Sequence, residues 1–221
     1  MRQPLLYTYT IPIDDGSAPN PFHGMCSLAI CKPSIRRTAH EGDWVAGLGS
    51  REAPSGDLSG RLVYAMRVER VLSLQEYDLL APKQWPHRIP DLTSPNLWDR
   101  LGDCIYDYSQ GRPRQRASVH RSQNIKKDLS GFNVLISRDY YYFGSRALRL
   151  PSRLLPICHQ TQGHRSKANG PYFALFVSWL RGLGVSRGLL GWPDYLVRWG
   201  RLVSCRNGCG KCRRLTVHSG C

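Results

Sequence analysis

The chain has 221 residues, of which 41% are hydrophobic and 21% charged, a composition typical of a globular domain rather than a disordered chain. The net charge is +15, carried by the second half: residues 1–111 hold eleven Lys/Arg against thirteen Asp/Glu, and residues 112–221 hold twenty against three. No apolar run reaches the length of a membrane span and the N-terminus lacks an apolar leader. We therefore expect a cytoplasmic protein without a membrane partner and with reduced cysteines, whose basic half binds a polyanion.

The first half of the sequence predicts several short strands. Leu6–Ile11 has an alternating pattern and is rich in aromatic and β-branched residues, which is typical of a strand. Residues 26–31 form an apolar run, either a strand or a helical turn, that ends at Pro33. Residues Trp44–Gly49 follow the Gly42-Asp43 turn and are predicted to form a buried strand, and residues 61–68 are the clearest strand of the chain.

From Ser73 onwards, the sequence predicts a mixture of helices and strands. Ser73 and Glu76 match a capping box that begins a short helix. Residues 110–127 carry six Lys/Arg and no acid, so we interpret them as an exposed basic loop. Two strands and an amphipathic helix are predicted after it, at Asn133–Ser137, at 140–143 and along Tyr172, Phe176, Trp179 and Leu183. Because no βαβ rhythm appears, we predict an α+β fold built on a small mixed β-barrel with flanking helices.

Six short segments, in order, resemble the second class of nucleotide-modification-associated domains, and together they span roughly residues 4–195. They are Ala18-Pro19-Asn20-Pro21-Phe22-His23-Gly24, Cys31-Lys32-Pro33-x-Ile35-Arg36-Arg37, Gly42-Asp43-Trp44-x-x-Gly47-x-Gly49-Ser50, Leu62-Val63-Tyr64-Ala65-Met66-Arg67-Val68, Val134-Leu135-Ile136-Ser137 with Tyr142-Phe143-Gly144, and Gly163-His164-Arg165-Ser166-Lys167. The resemblance implies a role near phage or bacterial systems that modify DNA bases.

A looser likeness is to the PUA-like barrels, which include domains that bind modified bases. It rests on Gly42-Asp43-Trp44 and Met66-Arg67-Val68 alone. Together the two resemblances imply that residues 1–195 form a PUA-like, nucleotide-modification-associated domain. They leave residues 196–221 as a basic, cysteine-rich tail.

Candidate base-binding residues lie in two segments of the first half. Asn20 carries both a donor and an acceptor for a base edge, and His23 follows it between Pro21 and Gly24. Gly47, Gly49 and Ser50 would let the backbone approach a ring closely, with the Ser50 hydroxyl as a hydrogen-bond partner. The structural alternative is a loop held by Asn and Pro turns beside a packed strand.

A thiol mechanism is the catalytic candidate. His23 would act as acid or base, and Cys26 or Cys31 would be the nucleophile if Lys32 or Arg36 lowered its pKa. The alternative is that both cysteines are buried small apolar residues.

Phosphate-binding candidates are the cations near predicted turns. They are Lys32, Arg36, His164, Arg165 and Lys167, of which the last three precede the predicted helix and would face an anion at its N-terminus. The basic loop at 112–127 would extend this surface, and a solvated loop is the alternative.

The tail carries the one predicted metal site. Cys205, Cys209 and Cys212 with His218 or Cys221 have the ligand types of a small zinc site, although their spacing is not that of paired CxxC motifs. A disordered basic tail is the alternative, since residues 195–221 hold six Lys/Arg and no acid. No other cofactor is predicted.

Three functional hypotheses remain open. The first is recognition of a modified base or nucleotide, in DNA, within a base-modification or phage-defence system whose modification proteins are further partners. The second is an enzyme that modifies or hydrolyses a nucleobase substituent. The third is a module whose basic face binds an acidic protein.

The sequence lacks several well-known catalytic and nucleotide-binding motifs. They are the phosphate-binding loop, the dinucleotide-binding motif, GxSxG, HExxH and the deaminase motif.

Overall fold

The computed structural model describes residues 2–159 and 163–195. Its strands are β1 (Leu6–Ile11), β2 (Cys26–Leu28), β3 (Trp44–Gly49), β4 (Arg61–Arg67), β5 (Arg70–Ser73), β6 (Tyr106–Asp107), β7 (Arg114–Gln115), β8 (Asn133–Ser137), β9 (Tyr140–Tyr142), β10 (Leu148–Arg149) and β11 (Gly188–Leu189). Its α-helices are α1 (Pro33–Thr38), α2 (Leu74–Gln84), α3 (Leu97–Arg100), α4 (Ile125–Leu129) and α5 (Phe173–Arg181). None of the helices within these residues has the length and apolarity needed to cross a bilayer.

The larger sheet has the strand order β1-β3-β4-β9-β11, with β10 paired to β4. Its strands β1 and β3 are parallel, with Leu6 opposite Trp44, whereas β3–β4 and β4–β9 are antiparallel. The smaller sheet has the order β2-β8-β5. The chain passes directly from β4 to β5 and from β8 to β9, and the Glu69 N–H donates to the Ile136 carbonyl across the junction. The two sheets therefore share bent strand pairs.

The α+β class of the prediction is confirmed, but the described strands form open sheets rather than a closed barrel. The outer edge of β1 shows the reason. There, Thr8 exchanges two backbone hydrogen bonds of 2.9 Å with Arg165, and the Asn169 amide donates to the Leu6 carbonyl. A loop thus satisfies the edge where a further strand would have closed the barrel.

Several predicted elements form where the sequence placed them. The predicted basic loop at 110–127 instead contains β7 and the beginning of α4, and its His120 is buried. The Ser73 hydroxyl accepts from the Glu76 N–H, and the Glu76 carboxylate accepts from the Ser73 N–H, which is the predicted capping box. Helix α5 buries Phe176, as its periodicity indicated, and also Leu180 against the larger sheet, while the predicted Trp179 is only partly buried. Cys26–Leu28 is a strand, which resolves the open alternative for that run.

The other face of the larger sheet buries polar aromatic side chains. The hydroxyls of Tyr9 and Tyr64 lie 3.0 Å apart, and the Tyr142 hydroxyl donates to Asp14. Asp14 also accepts from the Asp194 N–H. Burial of Asp14 raises its pKa to about 7, although the hydrogen bond from Tyr142 opposes that shift.

The raised pKa of Asp14 predicts that stability falls as the pH rises from about 4 to about 7. The folded chain holds the Asp14 proton in this window and the unfolded chain releases it, so protons favour the folded state below the folded pKa. The shift corresponds to a loss of at most about 4 kcal/mol over that range. Urea unfolding at pH 4.5 and pH 7.5 measures it. The Asp14→Asn variant should lose this difference in the free energy of unfolding, and the exposed Asp57→Asn variant should keep it. The same difference between the two pH values in the parent chain and in both variants would contradict the assignment to Asp14.

Candidate functional site

The glycine strand does not line a cleft. A Cβ atom on Gly47 would lie 2.3 Å from the Ile11 Cδ1 atom, and one on Gly49 would lie 2.2 Å from the Leu58 carbonyl oxygen. Ser50 is buried, and its hydroxyl accepts from the Glu52 N–H. Core side chains and backbone therefore fill the space in which a planar ring was expected.

The side chain of Asn20 forms its hydrogen bonds within the protein. Its amide nitrogen donates to the Leu101 carbonyl, and its side-chain oxygen accepts from Arg88 and from the Phe22 N–H. The residue is 1% exposed. Its donor and acceptor groups hold a loop together, which is the structural alternative considered above. His23 lies on that loop, stacked on His87.

The predicted phosphate residues separate into two groups. His164, Arg165 and Lys167 lie together on one loop, where the Arg165 guanidinium donates to the Pro156 carbonyl and the Lys167 side chain is exposed. Helix α5 begins only at Phe173, so this loop is not directly at its N-terminus. Burial, with the charge of His159, lowers the pKa of His164. Lys32 and Arg36 lie elsewhere, around Cys31.

Cys31, His120 and Asp128 form a buried cluster that joins three parts of the chain. The Cys31 Sγ atom lies 3.4 Å from the His120 Nε2 atom, and the His120 Nδ1 atom lies 2.6 Å from the Asp128 Oδ2 atom. Cys31 follows β2, His120 precedes α4 and Asp128 lies within α4. A sulfur facing an imidazole that a carboxylate orients is the arrangement of an activated thiol nucleophile.

The backbone around Cys31 is strained. Cys31 and Lys32 have φ angles of 56° and 40°, in the left-handed region that non-glycine residues rarely adopt. Two consecutive residues in this region form a sharp turn between β2 and α1. The turn places the Cys31 N–H 3.0 Å from the Asp128 Oδ1 atom and its side chain beside His120. Strain of this kind is concentrated at functional sites.

Asp128 is held by several donors. Besides the contacts to Cys31 and His120, its Oδ2 atom accepts from the Tyr106 hydroxyl at 3.0 Å. Burial alone would raise the pKa of Asp128, but the hydrogen bond and charge of His120 and the bonds from Cys31 and Tyr106 outweigh it, so the pKa is lowered. Asp128 is therefore a carboxylate at neutral pH, able to orient His120 and to stabilise its protonated form.

Arg36 and Lys32 place two cations beside the cluster. The fully buried Arg36 guanidinium donates to the carbonyls of Cys31, Asn133 and Asp128. Burial lowers the pKa of Lys32 to about 8, with a contribution from Lys127, and the Lys32 ammonium lies 4.7 Å from the centre of the Tyr9 ring. Arg36 thus joins the turn at Cys31 to α4 and β8.

The redox states of the described cysteines differ. Cys31 is disulfide-bonded, whereas Cys26, Cys104 and Cys158 are free. The 2% exposure of Cys31 is therefore that of its oxidised form. Burial raises the pKa of Cys26, which favours the structural alternative for that residue.

A rim of cations surrounds the Cys31 cluster. The Arg37 guanidinium of α1 donates to the Ser130 carbonyl just after α4, which joins the two helices. Exposed cations on this face, which we call the basic rim, are Arg37, Arg121, Lys126 and Lys127. They belong to the predicted basic stretch and to the α1 segment, and a group of like charges of this kind favours binding of anions.

Sequence reasoning missed the residues that complete the cluster. His23 was the expected partner of the thiol, but the histidine in contact with Cys31 is His120. His120 and Asp128 are separated from Cys31 by about ninety residues, and no local motif joins them. The zinc-ligand prediction for Cys205, Cys209, Cys212 and His218 lies outside the described residues.

A family model described as nucleotide modification associated domain 2 matches residues 3–199. No match was found among curated proteins or among solved structures.

Proposed function

The chain belongs to the nucleotide modification associated domain 2 family, which suggests a role in base-modification systems, and we propose that it hydrolyses an acyl-type substituent of a nucleobase or nucleotide. The observation that carries the proposal is the contact series from Cys31 through His120 to Asp128, with distances of 3.4 Å and 2.6 Å. His120 already shares a short hydrogen bond with Asp128, so these two residues are arranged to orient each other rather than to share a metal ion.

The proposed reaction begins with the reduced form of Cys31. A cellular dithiol reduces the disulfide at Cys31 and is itself oxidised, which releases the thiol. His120 takes the thiol proton, and the thiolate attacks the carbonyl carbon of the substituent. The bond from that carbon to the base nitrogen breaks, and His120 donates its proton to the leaving amine. Water then hydrolyses the thioester to a carboxylic acid and returns the thiol.

The basic rim supports a nucleotide as substrate. Arg37 on α1 and Lys126 and Lys127 on α4 are exposed, and Lys32 follows Cys31 directly in the chain. Phosphate groups pair with such cations, whereas a neutral acyl substrate would gain nothing from them. An acidic peptide would use the same cations, which makes it the competitor to test.

Recognition of a modified base without chemistry is the second candidate. The observation that favours it is the burial of Cys31 and His120, which are 2% and 4% exposed. In that case the cluster would stabilise the turn after β2, and the basic rim alone would bind DNA. Reactivity of Cys31 separates the two candidates.

Alkylation of the reduced full chain with iodoacetamide at pH 7 tests the proposal, with the modified cysteine identified by mass spectrometry. We expect Cys31 to be labelled faster than Cys158, which is the more exposed of the two in this structure, and we expect a deoxynucleotide to slow only the Cys31 reaction. The Cys158→Ser variant is the matched control. Slower labelling of Cys31 than of Cys158 would exclude the thiol mechanism. If an acidic peptide slowed the labelling of Cys31 as much as the deoxynucleotide does, a nucleotide would be excluded as the specific substrate.

A further inference from the structure

A second cluster of polar side chains lies apart from Cys31 in the described residues and has no part in the proposed reaction. His23 lies on the loop before β2, His87 in a short 3₁₀ turn after α2, and Asp99 in α3. The His23 Nε2 atom is 3.4 Å from the Asp99 Oδ1 atom, and the His87 Nδ1 atom is 3.8 Å from it. One ligand atom from each residue lies within 4.8 Å of the others.

The two carboxylate oxygens of Asp99 have different surroundings. The Oδ2 atom accepts from the Ser94 hydroxyl at 2.9 Å and from the Asn96 amide at 3.3 Å. The Oδ1 atom is buried, faces both histidines and accepts no hydrogen bond. A buried carboxylate oxygen without a partner is costly, because burial removes its water. Its neighbours thus orient Asp99 with one oxygen aimed at two imidazoles.

The fold holds the two histidines in a fixed relation. Arg88 follows His87 in the chain and is 1% exposed. Its guanidinium donates to Asn20 and to the carbonyls of Phe22 and Met25, which flank His23 on both sides. The rings of His23 and His87 consequently stack, with centroids 4.2 Å apart and planes within 12° of parallel. The fold thus brings the donor atoms of the two histidines close to each other and to Asp99.

We propose that His23, His87 and Asp99 bind a divalent transition-metal ion of the zinc type. Two imidazole nitrogens and one carboxylate oxygen suit zinc and its neighbours, whereas magnesium and calcium prefer oxygen ligands alone. Ligand atoms around a tetrahedral zinc ion lie about 3.3 Å apart. The distances of 3.4 Å and 3.8 Å are close to that spacing. Binding would turn the imidazoles out of their parallel stack, so that both nitrogens point at the ion.

The exposure of the histidines agrees with this assignment. The side chains of His23 and His87 are 29% and 58% exposed, so an ion can reach them from solvent. Three protein ligands leave a fourth position for water or for a small anion, as in metal sites that act on a ligand.

The test uses the full-length chain with Cys205, Cys209, Cys212 and Cys221 changed to serine, so that the tail cannot bind the ion. Equilibrium dialysis with Zn²⁺ alone gives stoichiometry and affinity, and Co²⁺ absorption reports the ligand type. We expect one ion per chain, without the charge-transfer band that a thiolate ligand such as Cys31 would add. Asp99→Asn and His87→Ala should each weaken binding at least tenfold.

Matched controls separate ligation from general surface charge. Asp91→Asn removes a carboxylate from the neighbouring turn, and His40→Ala removes an exposed imidazole elsewhere, so both should bind like the parent chain. Circular dichroism of each variant checks that the fold is retained. The proposal is overturned if the parent chain binds no ion, or if folded Asp99→Asn and His87→Ala variants both bind Zn²⁺ as tightly as the parent does.

Discussion

Replacing Arg88 by methionine should destabilise the folded chain by about 3–5 kcal/mol. Arg88 is fully buried, and its guanidinium donates to Asn20, Ser27, Phe22 and Met25 while lying 4.0 Å from the Asp103 carboxylate. Methionine fills much of the same volume but removes the charged donor from all of these acceptors and leaves Asp103 without its cation.

Asp103 makes the loss larger. It is 1% exposed and burial raises its pKa, with the charge of Arg88 as the largest opposing influence. The Tyr77 hydroxyl and the Ser27 hydroxyl remain as donors to it, but neither carries a charge. An uncompensated buried carboxylate is among the costliest results of a single substitution.

Urea unfolding of the Arg88→Met variant measures the effect. The exposed Arg67→Met variant is the control and should change the free energy of unfolding by less than about 0.5 kcal/mol. Adding Asp103→Asn to Arg88→Met should recover part of the loss, because the unpaired charge disappears. A loss below about 1 kcal/mol for Arg88→Met would show that solvent reaches the site and that the loop is held by other contacts.

Local sequence patterns predicted the framework because the physics behind them is local. The alternation in Leu6–Ile11, the capping box at Ser73 and the helical spacing of Phe176 and Trp179 each involve residues a few positions apart. The glycines of β3 could not be interpreted in the same way. Gly47 and Gly49 suit a ligand or a crowded core equally well, and only the positions of Ile11 and Leu58 decide between these.

The sequence predicted only part of each candidate site, because its patterns relate residues that are close in the chain. Lys32 and Arg36 beside Cys31 suggested an activated thiol, but the base and its carboxylate come from the basic loop and α4, which only the fold brings near. His23 was identified as a functional candidate, yet its neighbours His87 and Asp99 belong to a stretch without periodicity. Convergence of distant segments depends on topology, which single-segment patterns do not contain.

Substituting His120 by glutamine should slow acylation of the reduced chain about 10²-fold or more. The probe is p-nitrophenyl acetate, added after the reductant has been removed. The Cys31 thiolate attacks the acetyl carbonyl, the carbon–oxygen bond breaks, and p-nitrophenolate leaves in a burst of about one equivalent per chain. Glutamine preserves a buried polar group but cannot accept the thiol proton, so the burst should slow.

Further variants define the role of each residue in the burst. Cys31→Ser should abolish it, while Cys158→Ser and His40→Ala should leave it unchanged, because neither touches the cluster. Asp128 acts on the sulfur mainly by orienting His120, so adding Asp128→Asn to His120→Gln should slow the burst little beyond His120→Gln alone. Independent, multiplicative effects of the two substitutions would mean that Asp128 serves the fold rather than the imidazole. An unchanged burst in a folded His120→Gln chain would remove His120 from the reaction.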